Sequence, residues 1–406
     1  MFRAALAALA VILWCFGLYT AQQAERHTRS ISARWHTAGV SPAQISRQEG
    51  YFREDGMQDI PYTTIWRERP SQRFSGERDN EANGTVIELF GYMEDVCLGN
   101  MIAGSFPAKG DVNGCVISEA AAFAIWGNIN VLGMPVYWDG QQYYVYGVFR
   151  DGGNIMMVQT SGDNIDSFPN MQLRFHDGGS REDAARYLER AGFRGAQFLD
   201  TPLLGWLLGL ICSVPALLLG FSVIIRLILR ITSLRGFPRL LAAYLPFAVV
   251  GIGACVFLFG NIESVPSHLI PNKLSDFGFY GSLVDSNLEE IRNWLSFPSW
   301  RDLTFFGYSM LTLFAAFGSA AVFAVCISKI KTRTLTSCFV GCCASMMLML
   351  IMAMAFDGGG SISINMSMWL MPCMWILTDY GLYLHETYLR PNSVEKQLMG
   401  GDVNGC

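Results

Sequence analysis

The residue types that carry enzyme chemistry are present in this 406-residue chain, but they do not have the spacing of the common catalytic motifs. The chain has no Gly-Lys dipeptide and therefore no Walker A phosphate-binding loop. The stretch HETYL at His385 begins as a zinc-protease helix does, but Leu389 takes the place of the second histidine. The Gly-x-Ser-x-Gly turn of serine hydrolases is also absent. The sequence thus predicts no catalytic residue, no metal, no cofactor and a protein that is not an enzyme.

The composition is that of a membrane protein with a polar insert. Hydrophobic residues make up 51% of the chain and charged residues only 16%, which is low for a soluble protein. The apolar residues are concentrated in residues 203–384, whereas residues 22–200 are mixed and polar. The net charge of −5 provides no basic field for nucleic acid. Membrane lipids are therefore expected partners and nucleic acid is not.

About six apolar runs in the chain have close to the ~20 residues that a membrane-spanning helix needs. The predicted spans are residues 4–19, 203–225, 240–260, 303–327, 335–356 and 362–384. We expect the first run to be an uncleaved anchor over residues 1–21. The alternative is a cleaved signal peptide, which Tyr19 disfavours because it fills a position that requires a small residue.

Charges between the runs orient the spans. Lys329, Lys331 and Arg333 follow the fourth run and arginines follow the second, whereas segment 261–302 is acidic on balance. Because cytoplasmic loops carry the basic excess, residues 22–200 are predicted to lie outside the cytoplasm, in a multi-pass protein of the cell (inner or plasma) membrane. The chain then divides into an anchor (1–21), an extracytoplasmic domain (22–200), a transmembrane domain of about five helices (203–384) and a cytoplasmic tail (385–406).

Two of the 11 cysteines, Cys97 and Cys115, lie in the predicted external domain. An isolated pair in an oxidising compartment is a candidate disulfide, and it would stabilise the domain by roughly 3 kcal/mol in the chain-entropy model. The alternative is two buried free thiols. Eight other cysteines lie in or beside the apolar runs, where cysteine acts as a small apolar residue.

The external domain mixes β-rich runs with short helices. Strands are predicted over residues 85–93, 115–118 and 154–160, and helices are predicted after Ser118 and Ser180, which have the N-cap residue type. Asp139-Gly140 lies between two β-rich runs and predicts a two-residue hairpin turn. Strands and helices do not alternate regularly, so the predicted fold of this domain is α+β.

The hexapeptide Gly-Asp-Val-Asn-Gly-Cys occurs twice, at residues 110–115 and 401–406. The first copy resembles part of a calcium loop, but Cys115 and Val116 occupy positions where an EF-hand needs a ligand and a glycine. An Asn-Gly turn leading into a strand is the favoured interpretation. The predicted topology puts the two copies on opposite sides of the membrane, and we have no physical explanation for the repeat.

An ordered set of short segments resembles the MacB-like periplasmic core domain of ABC transporter permeases in the MacB/FtsX group. No single piece is specific, and the resemblance is strongest over residues 102–149. The matching segments are IPYTTIW (60–66), IAGSF (102–106), GDVNGCVISEAAAFAIWG (110–127), NVLGMPV (130–136) and YYVYGVF (143–149). An anchor, a large external domain and then a membrane block also follow the family order.

The resemblance implies a permease-like subunit without chemistry of its own. Such a subunit would transmit motion from a separate ABC ATPase to its external domain, for export or mechanotransmission. The resemblance also implies a second permease chain as a partner. The ATPase-coupling loop would then be residues 226–239. Its candidate residues are Arg226, Arg230, Arg235 and Arg239. Alternatively, these arginines only set the membrane topology.

Two departures from the family leave a second function open. The family core has four spans, so the fifth and sixth predicted spans are extra, and external segment 261–302 is long. The alternative is a membrane-anchored sensor or assembly protein that binds a partner through its extracytoplasmic domain. A co-purifying ATPase would separate the two.

Overall fold

The computed structural model describes most of the chain, and all statements below concern the described part. The described residues are 2–25, 27–28, 30–36, 39–56, 60–77, 80–97, 99–176, 179–199, 201–234, 238–259, 281, 285, 288, 291–292, 294–295, 299–356 and 369–389. The chain forms two compact units. The helical unit comprises Met1–Gln22, Trp206–Val265 and Tyr308–Cys406, and the sheet unit comprises Gln23–Gly205 and Pro266–Gly307.

The labelled elements follow chain order. The helices are α1 (Phe2–Glu25), α2 (Pro42–Glu54), α3 (Glu119–Trp126), α4 (Arg181–Arg190), α5 (Thr201–Ser233), α6 (Pro238–Phe259), α7 (Trp300–Lys329), α8 (Leu335–Phe356) and α9 (Met371–Leu389). The strands are β1 (Ile31–Arg34), β2 (Tyr62–Ser75), β3 (Glu81–Phe90), β4 (Met101–Gly104), β5 (Gly114–Ser118), β6 (Pro135–Trp138), β7 (Gln141–Phe149), β8 (Ile155–Gln159), β9 (Asn170–Arg174) and β10 (Gln197–Leu199).

The sheet unit is built on one mixed sheet of ten described strands. Its order is β10-β1-β9-β2-β3-β8-β5-β7-β4, and β6 pairs with both β2 and β7. The pairs β3–β8 and β5–β7 are parallel, whereas the other neighbours are antiparallel. The predicted α+β domain is therefore confirmed as a mixed sheet with helices packed against it.

Local sequence signals give the expected local structure. Asp139 and Gly140, with φ of 50° and 74°, form the turn between β6 and β7. The hydroxyl of Ser118 accepts the Ala121 amide at the start of α3, and Ser180 caps α4 in the same way. The first hexapeptide copy is a plain turn before β5, in which Asp111 Oδ1 accepts the amide of Asn113. The second copy, at 401–406, lies outside the described residues.

The predicted Cys97–Cys115 disulfide is wrong, since both residues are buried free thiols. Side chains alternate between the two faces of a strand. In β5, Cys115 and Ile117 join the hydrophobic cluster on one face, while Val116 joins the cluster on the other face. Cys97 packs into that second cluster, so the sheet itself separates the two sulfur atoms.

The helical unit is held together by close helix contacts and by hydroxyl and indole groups that bond to backbone carbonyls. Trp14 of α1 donates to the Cys212 carbonyl of α5 at 2.9 Å, and Ser319 of α7 donates to the Ala10 carbonyl at 2.8 Å. A Cβ on Gly17 would lie 3.2 Å from the Cβ of Ala315, so glycine permits close packing of α1 and α7. Small residues at helix interfaces are typical of membrane bundles.

Three described helices are long and apolar enough to cross a membrane. The segments are Ala5–Glu25, Leu203–Ser233 and Trp300–Lys329. The apolar parts of α6 and α8 are shorter, Tyr244–Phe257 and Leu335–Ile351. The predicted count of about six spans is therefore not confirmed. The start of the predicted sixth span, residues 362–368, lies outside the described residues.

Candidate functional site

The sheet unit contains a buried ionic cluster where helix α7 begins. Arg34 at the end of β1 donates from Nη2 to Asp302 of α7, and their side chains are 5% and 3% exposed. The same guanidinium donates to Asn170 Oδ1 at 2.8 Å and lies 4.4 Å from the ring centroid of Trp294. A buried ion pair loses the hydration of both charges, so it is stable only when further hydrogen bonds satisfy both groups. Here they do, and the cluster fixes α7 to the sheet.

The first turn of α7 is closed by a reciprocal cap. Asp302 Oδ2 accepts from both the amide and the hydroxyl of Ser299, at 3.1 and 2.7 Å. The Ser299 hydroxyl in turn accepts the Asp302 amide at 3.2 Å. Asp302 therefore serves two elements at once, because it caps its own helix and pairs with Arg34 of the sheet.

Glu68 of β2 supplies a second carboxylate to the same helix end. Its two oxygens each lie 2.9 Å from the amide nitrogen of Trp300, the first residue of α7. A negative charge is favoured at a helix N-terminus, but burial opposes ionisation. Burial raises the pKa of Glu68 to about 7, helped by nearby Asp302 and opposed by the Trp300 amide and Arg34. Glu68 thus accepts a hydrogen bond from α7 through a carboxyl group whose charge changes near neutral pH.

Arg301 ties α7 to two further parts of the sheet unit. The residue is 2% exposed. Its guanidinium donates to the Asp95 carbonyl and to the Ser32 hydroxyl, each at 3.1 Å, and to the His27 carbonyl at 3.4 Å. Arg301 therefore joins the start of α7 to β1, to the short 3₁₀ turn before Cys97 and to the segment that follows α1.

The ends of α1 and α5 meet in the same unit. Thr201, the first residue of α5, donates its hydroxyl to the Ser30 carbonyl. A Cβ on Gly205 would lie 2.6 Å from the Cβ of Thr28, so only glycine allows α5 to pass so close to this segment. The rings of His27 and Phe305 of α7 contact edge-to-face, with centroids 6.1 Å apart. The first turns of α5 and α7 and the segment that follows α1 therefore meet in one polar and aromatic junction, which we call the helix junction. Its residues are His27, Thr28, Ser30, Ser32, Arg34, Glu68, Thr201, Gly205, Arg301, Asp302 and Phe305.

The candidate coupling arginines are placed differently from the prediction. Helix α5 continues to Ser233 and α6 begins at Pro238, so only residues 234–237 connect them and the predicted loop 226–239 is mostly helix. Arg226 and Arg230 lie in α5. Arg235 is outside the described residues, and the side chain of Arg239 is not described. The assignment of these arginines to ATPase coupling remains a prediction.

Arg226 has a structural role inside the helical unit. It donates to Asp379 Oδ1 of α9 at 2.9 Å and to the Ile327 carbonyl near the end of α7 at 2.7 Å. The other oxygen of Asp379 accepts the Thr332 amide in the segment between α7 and α8, at 2.6 Å. Arg230 pairs with Glu386 at 3.2 Å, where the side chains are 26% and 54% exposed. Arg226 is therefore engaged, whereas Arg230 is only loosely held.

The sheet unit also carries an open pocket of about 670 Å³. Glu88 lies in its wall between two arginines, with Arg67 Nε 2.8 Å from its carboxylate and Arg69 paired to the other oxygen. Trp138 and Tyr143 add aromatic surface to the lining. The pocket offers polar and aromatic contacts that are suited to binding a ligand.

Most of the helix-junction residues have no local sequence signal. The partners Arg34 and Asp302 are 268 positions apart, and Glu68 lies in a β-strand of ordinary composition. The exception is Ser299-Trp-Arg-Asp302, because a serine followed three residues later by an acidic residue before an apolar run indicates a helix start.

Solved structures similar to this chain are external domains of transporters. The periplasmic region of MacB from Actinobacillus actinomycetemcomitans matches 44% of this chain and 91% of that one, at 16% identity and a TM-score of 0.36. The extracellular domain of the ABC-type transporter YknZ from Gram-positive bacteria matches 42% of this chain and 99% of that one, at 18% identity and a TM-score of 0.32. The periplasmic region of MacB is thus among the similar solved structures, as the sequence resemblance predicted. A scan against protein-family models and a search of curated proteins gave no match.

Proposed function

We propose that this chain is the permease-like subunit of an ABC-type transporter and transmits motion from a separate ATPase to its external domain. In this proposal α1, α5, α6, α7, α8 and α9 are six membrane spans, and the sheet unit lies outside the cytoplasm. The basic residues that follow the second and fourth predicted spans, and the acidic balance of segment 261–302, support this orientation. In this proposal the separate ATPase, and not this chain, binds and hydrolyses ATP.

The helix junction is the observation that carries this proposal. Three apolar helices have their terminal turns in the sheet unit. Arg34 and Glu68 bind the first turn of α7, and Arg301 within that turn binds the Asp95 carbonyl and the Ser32 hydroxyl. Closely packed interiors transmit displacement instead of absorbing it. A shift of α7 along its axis would therefore move β1 and β2 with it, as mechanotransmission requires.

The direct test is purification of the tagged full-length chain from its own cells in mild detergent. We expect an ATPase to co-purify in stoichiometric amount and the eluate to hydrolyse ATP. If no ATPase co-purifies and another protein is present instead, the permease proposal is wrong.

A variant pair tests the coupling arginines. Arg230→Glu combined with Arg235→Glu should release the ATPase, because it reverses two charges near the α5–α6 connection. The matched control is Arg47→Glu with Arg190→Glu, which reverses two exposed charges on the sheet unit. Equal retention of the ATPase by both proteins would remove these arginines from the coupling surface. Arg226 is left unchanged because its bonds hold α9 and α7.

The pocket beside Glu88 favours a second candidate function, a membrane-anchored sensor or assembly protein. Its volume of about 670 Å³ and its arginine and aromatic lining would accept a polar ligand or an extended segment of a partner. Under this alternative, Trp138→Ala should remove an external partner from the purified protein while Tyr51→Ala, at an exposed site on α2, leaves it bound. Partner binding that is insensitive to Trp138→Ala would exclude the pocket.

A further inference from the structure

The segment between α7 and α8 forms a basic pocket in the helical unit. Its volume is about 570 Å³. The lining residues are Ser328, Lys329, Lys331, Arg333, Thr334 and Ser337. Three of them carry positive charge, three carry a hydroxyl group, and none is acidic. This lining provides many hydrogen-bond donors and a local positive potential, which together favour an anion.

The three cations of this pocket are not used in ion pairs within the part of the chain that the structure describes. The contrast with neighbouring basic residues is sharp, because Arg226 and Arg230 of α5 each contact a carboxylate. Clustering Lys329, Lys331 and Arg333 without counter-charges is unfavourable by itself, since like charges repel. An external anion would relieve that repulsion.

The start of α8 adds to the positive potential. Thr334 is the capping residue, and its hydroxyl accepts the Ser337 amide at 3.2 Å. The first backbone amides of a helix have no intrahelical partner, and they carry the positive end of the helix dipole. Helix α8 has 22 residues, so its N-terminal amides and the lysine and arginine side chains act on one small volume.

Apolar side chains beside the pocket indicate the source of the anion. Leu335, Phe339 and Val340 of α8 are 68%, 69% and 56% exposed, and Val325 of α7 is 45% exposed. In a membrane-spanning chain such a surface faces acyl chains. A phosphate that is covalently joined to acyl chains satisfies both the basic pocket and the apolar surface, whereas free phosphate satisfies only the pocket.

We propose that this pocket binds the phosphodiester headgroup of an anionic phospholipid, with its acyl chains along the exposed face of α8. Lys331 and Arg333 donate to the phosphate oxygens. The site rests on the membrane topology proposed above, which places it at the cytoplasmic surface, where anionic lipids attract basic residues. It does not depend on the presence of an ATPase.

The test counts lipids bound to the purified full-length chain by native mass spectrometry. Phosphatidylglycerol and phosphatidylcholine are titrated separately, against the natural chain and against Lys331→Gln combined with Arg333→Gln. At about 1 kcal/mol per basic residue, the variant should bind phosphatidylglycerol roughly 30-fold more weakly. Phosphatidylcholine should bind weakly to both proteins, because it has no net charge.

Two control variants separate recognition from general effects of charge or folding. Arg47→Gln with Arg190→Gln removes the same charge from exposed positions of the sheet unit and should leave lipid binding unchanged. Lys331→Arg with Arg333→Lys keeps the charge and should retain it. For the natural chain alone, binding of phosphatidylglycerol should fall as ionic strength rises.

Several outcomes would overturn the proposal. Equal binding of the two lipids would show that charge is not recognised, and an unchanged affinity in the glutamine variant would place the lipid elsewhere. Displacement of phosphatidylglycerol by inorganic phosphate at comparable concentration would make the ligand a free anion. Because none of these readouts involves ATP, a missing ATPase would refute the proposed function without affecting this result.

Discussion

Two arginine–aspartate pairs of this chain join separate elements, and they differ mainly in how far they are enclosed. In the sheet unit, Arg34 and Asp302 are 5% and 3% exposed. In the helical unit, Arg226 and Asp379 are 25% and 15% exposed, and neighbouring Arg230 makes a still more open pair with Glu386. The first pair is surrounded by a helix cap and an aromatic ring, whereas the second is partly exposed.

This difference decides what each cluster can contribute. An enclosed pair cannot exchange its partner for water, so it behaves as a fixed joint. A partly exposed pair can open at low cost, because water replaces the lost bond. The Arg34–Asp302 pair is therefore expected to stay formed, whereas Arg230, whose partner is exposed, can form and break its contact.

The largest expected effect is at Asp302. Asp302→Asn keeps the shape and the acceptor oxygen of the cap but removes the carboxylate that pairs with the buried Arg34 charge. Breaking a buried pair in this way should lower the free energy of unfolding by about 3–5 kcal/mol. Chemical unfolding of the purified protein in detergent measures it, with exposed Asp163→Asn as control. Equal losses of unfolding free energy in Asp302→Asn and Asp163→Asn would mean that the Arg34–Asp302 pair is not enclosed.

The next effect is a dependence of stability on pH at Glu68. Its folded pKa of about 7 exceeds its usual 4.5, so between these values the folded chain binds more protons than the unfolded chain. The stabilisation of the folded chain that comes from protonated Glu68 is complete below about pH 4.5 and is lost as pH rises through about 7. The difference between the two pKa values corresponds to at most about 3 kcal/mol in the free energy of unfolding.

Glu68→Gln removes this titration but keeps an oxygen that can accept the Trp300 amide. The variant should therefore lose less stability than the natural chain when pH is raised from about 5.5 to about 8. Glu182→Gln, at an exposed position of α4, should leave the pH dependence unchanged. Identical pH profiles for all three proteins would show that Glu68 does not titrate in this range.

The smallest effects are expected in the helical unit. Arg226→Gln loses charged hydrogen bonds to Asp379 and to the Ile327 carbonyl, and should cost about 1–3 kcal/mol. Arg230→Gln breaks a pair with an exposed partner and should change stability by less than about 0.5 kcal/mol. The same unfolding measurement compares them. A larger loss at Arg230 than at Arg226 would reverse the roles assigned to the two arginines.

Features that depend on a few neighbouring residues could be predicted from the sequence. The Asp139-Gly140 turn and the caps at Ser118 and Ser180 were expected, and the structure contains all three. Each is set by the side chain and backbone of residues three or four apart. The apolar runs at 240–260, 303–327 and 335–356 likewise predicted helices whose ends agree within three residues, and helices overlap the other three runs, because burial in a membrane favours one continuous apolar element.

Features that depend on which strands are neighbours could not be predicted. Sequence allowed Cys97 and Cys115 to pair, but strand pairing put Cys115 on one face of the sheet and left Cys97 packed on the other. Sequence also suggested a basic loop from residue 226 to 239. The structure instead extends α5 through Arg226 and engages that residue with α9 and α7.

The sequence by itself determined that this protein has a membrane part, an α+β domain and helices that begin and end near their own caps. Only the tertiary structure brought Arg34 and Glu68 to the helix end that contains Arg301 and Asp302, and only it left Lys331 and Arg333 without a carboxylate among the described residues. The physical reason is distance along the chain. Caps and apolar runs act over one or two turns, whereas a buried charge is stable only when folding supplies partners from remote segments.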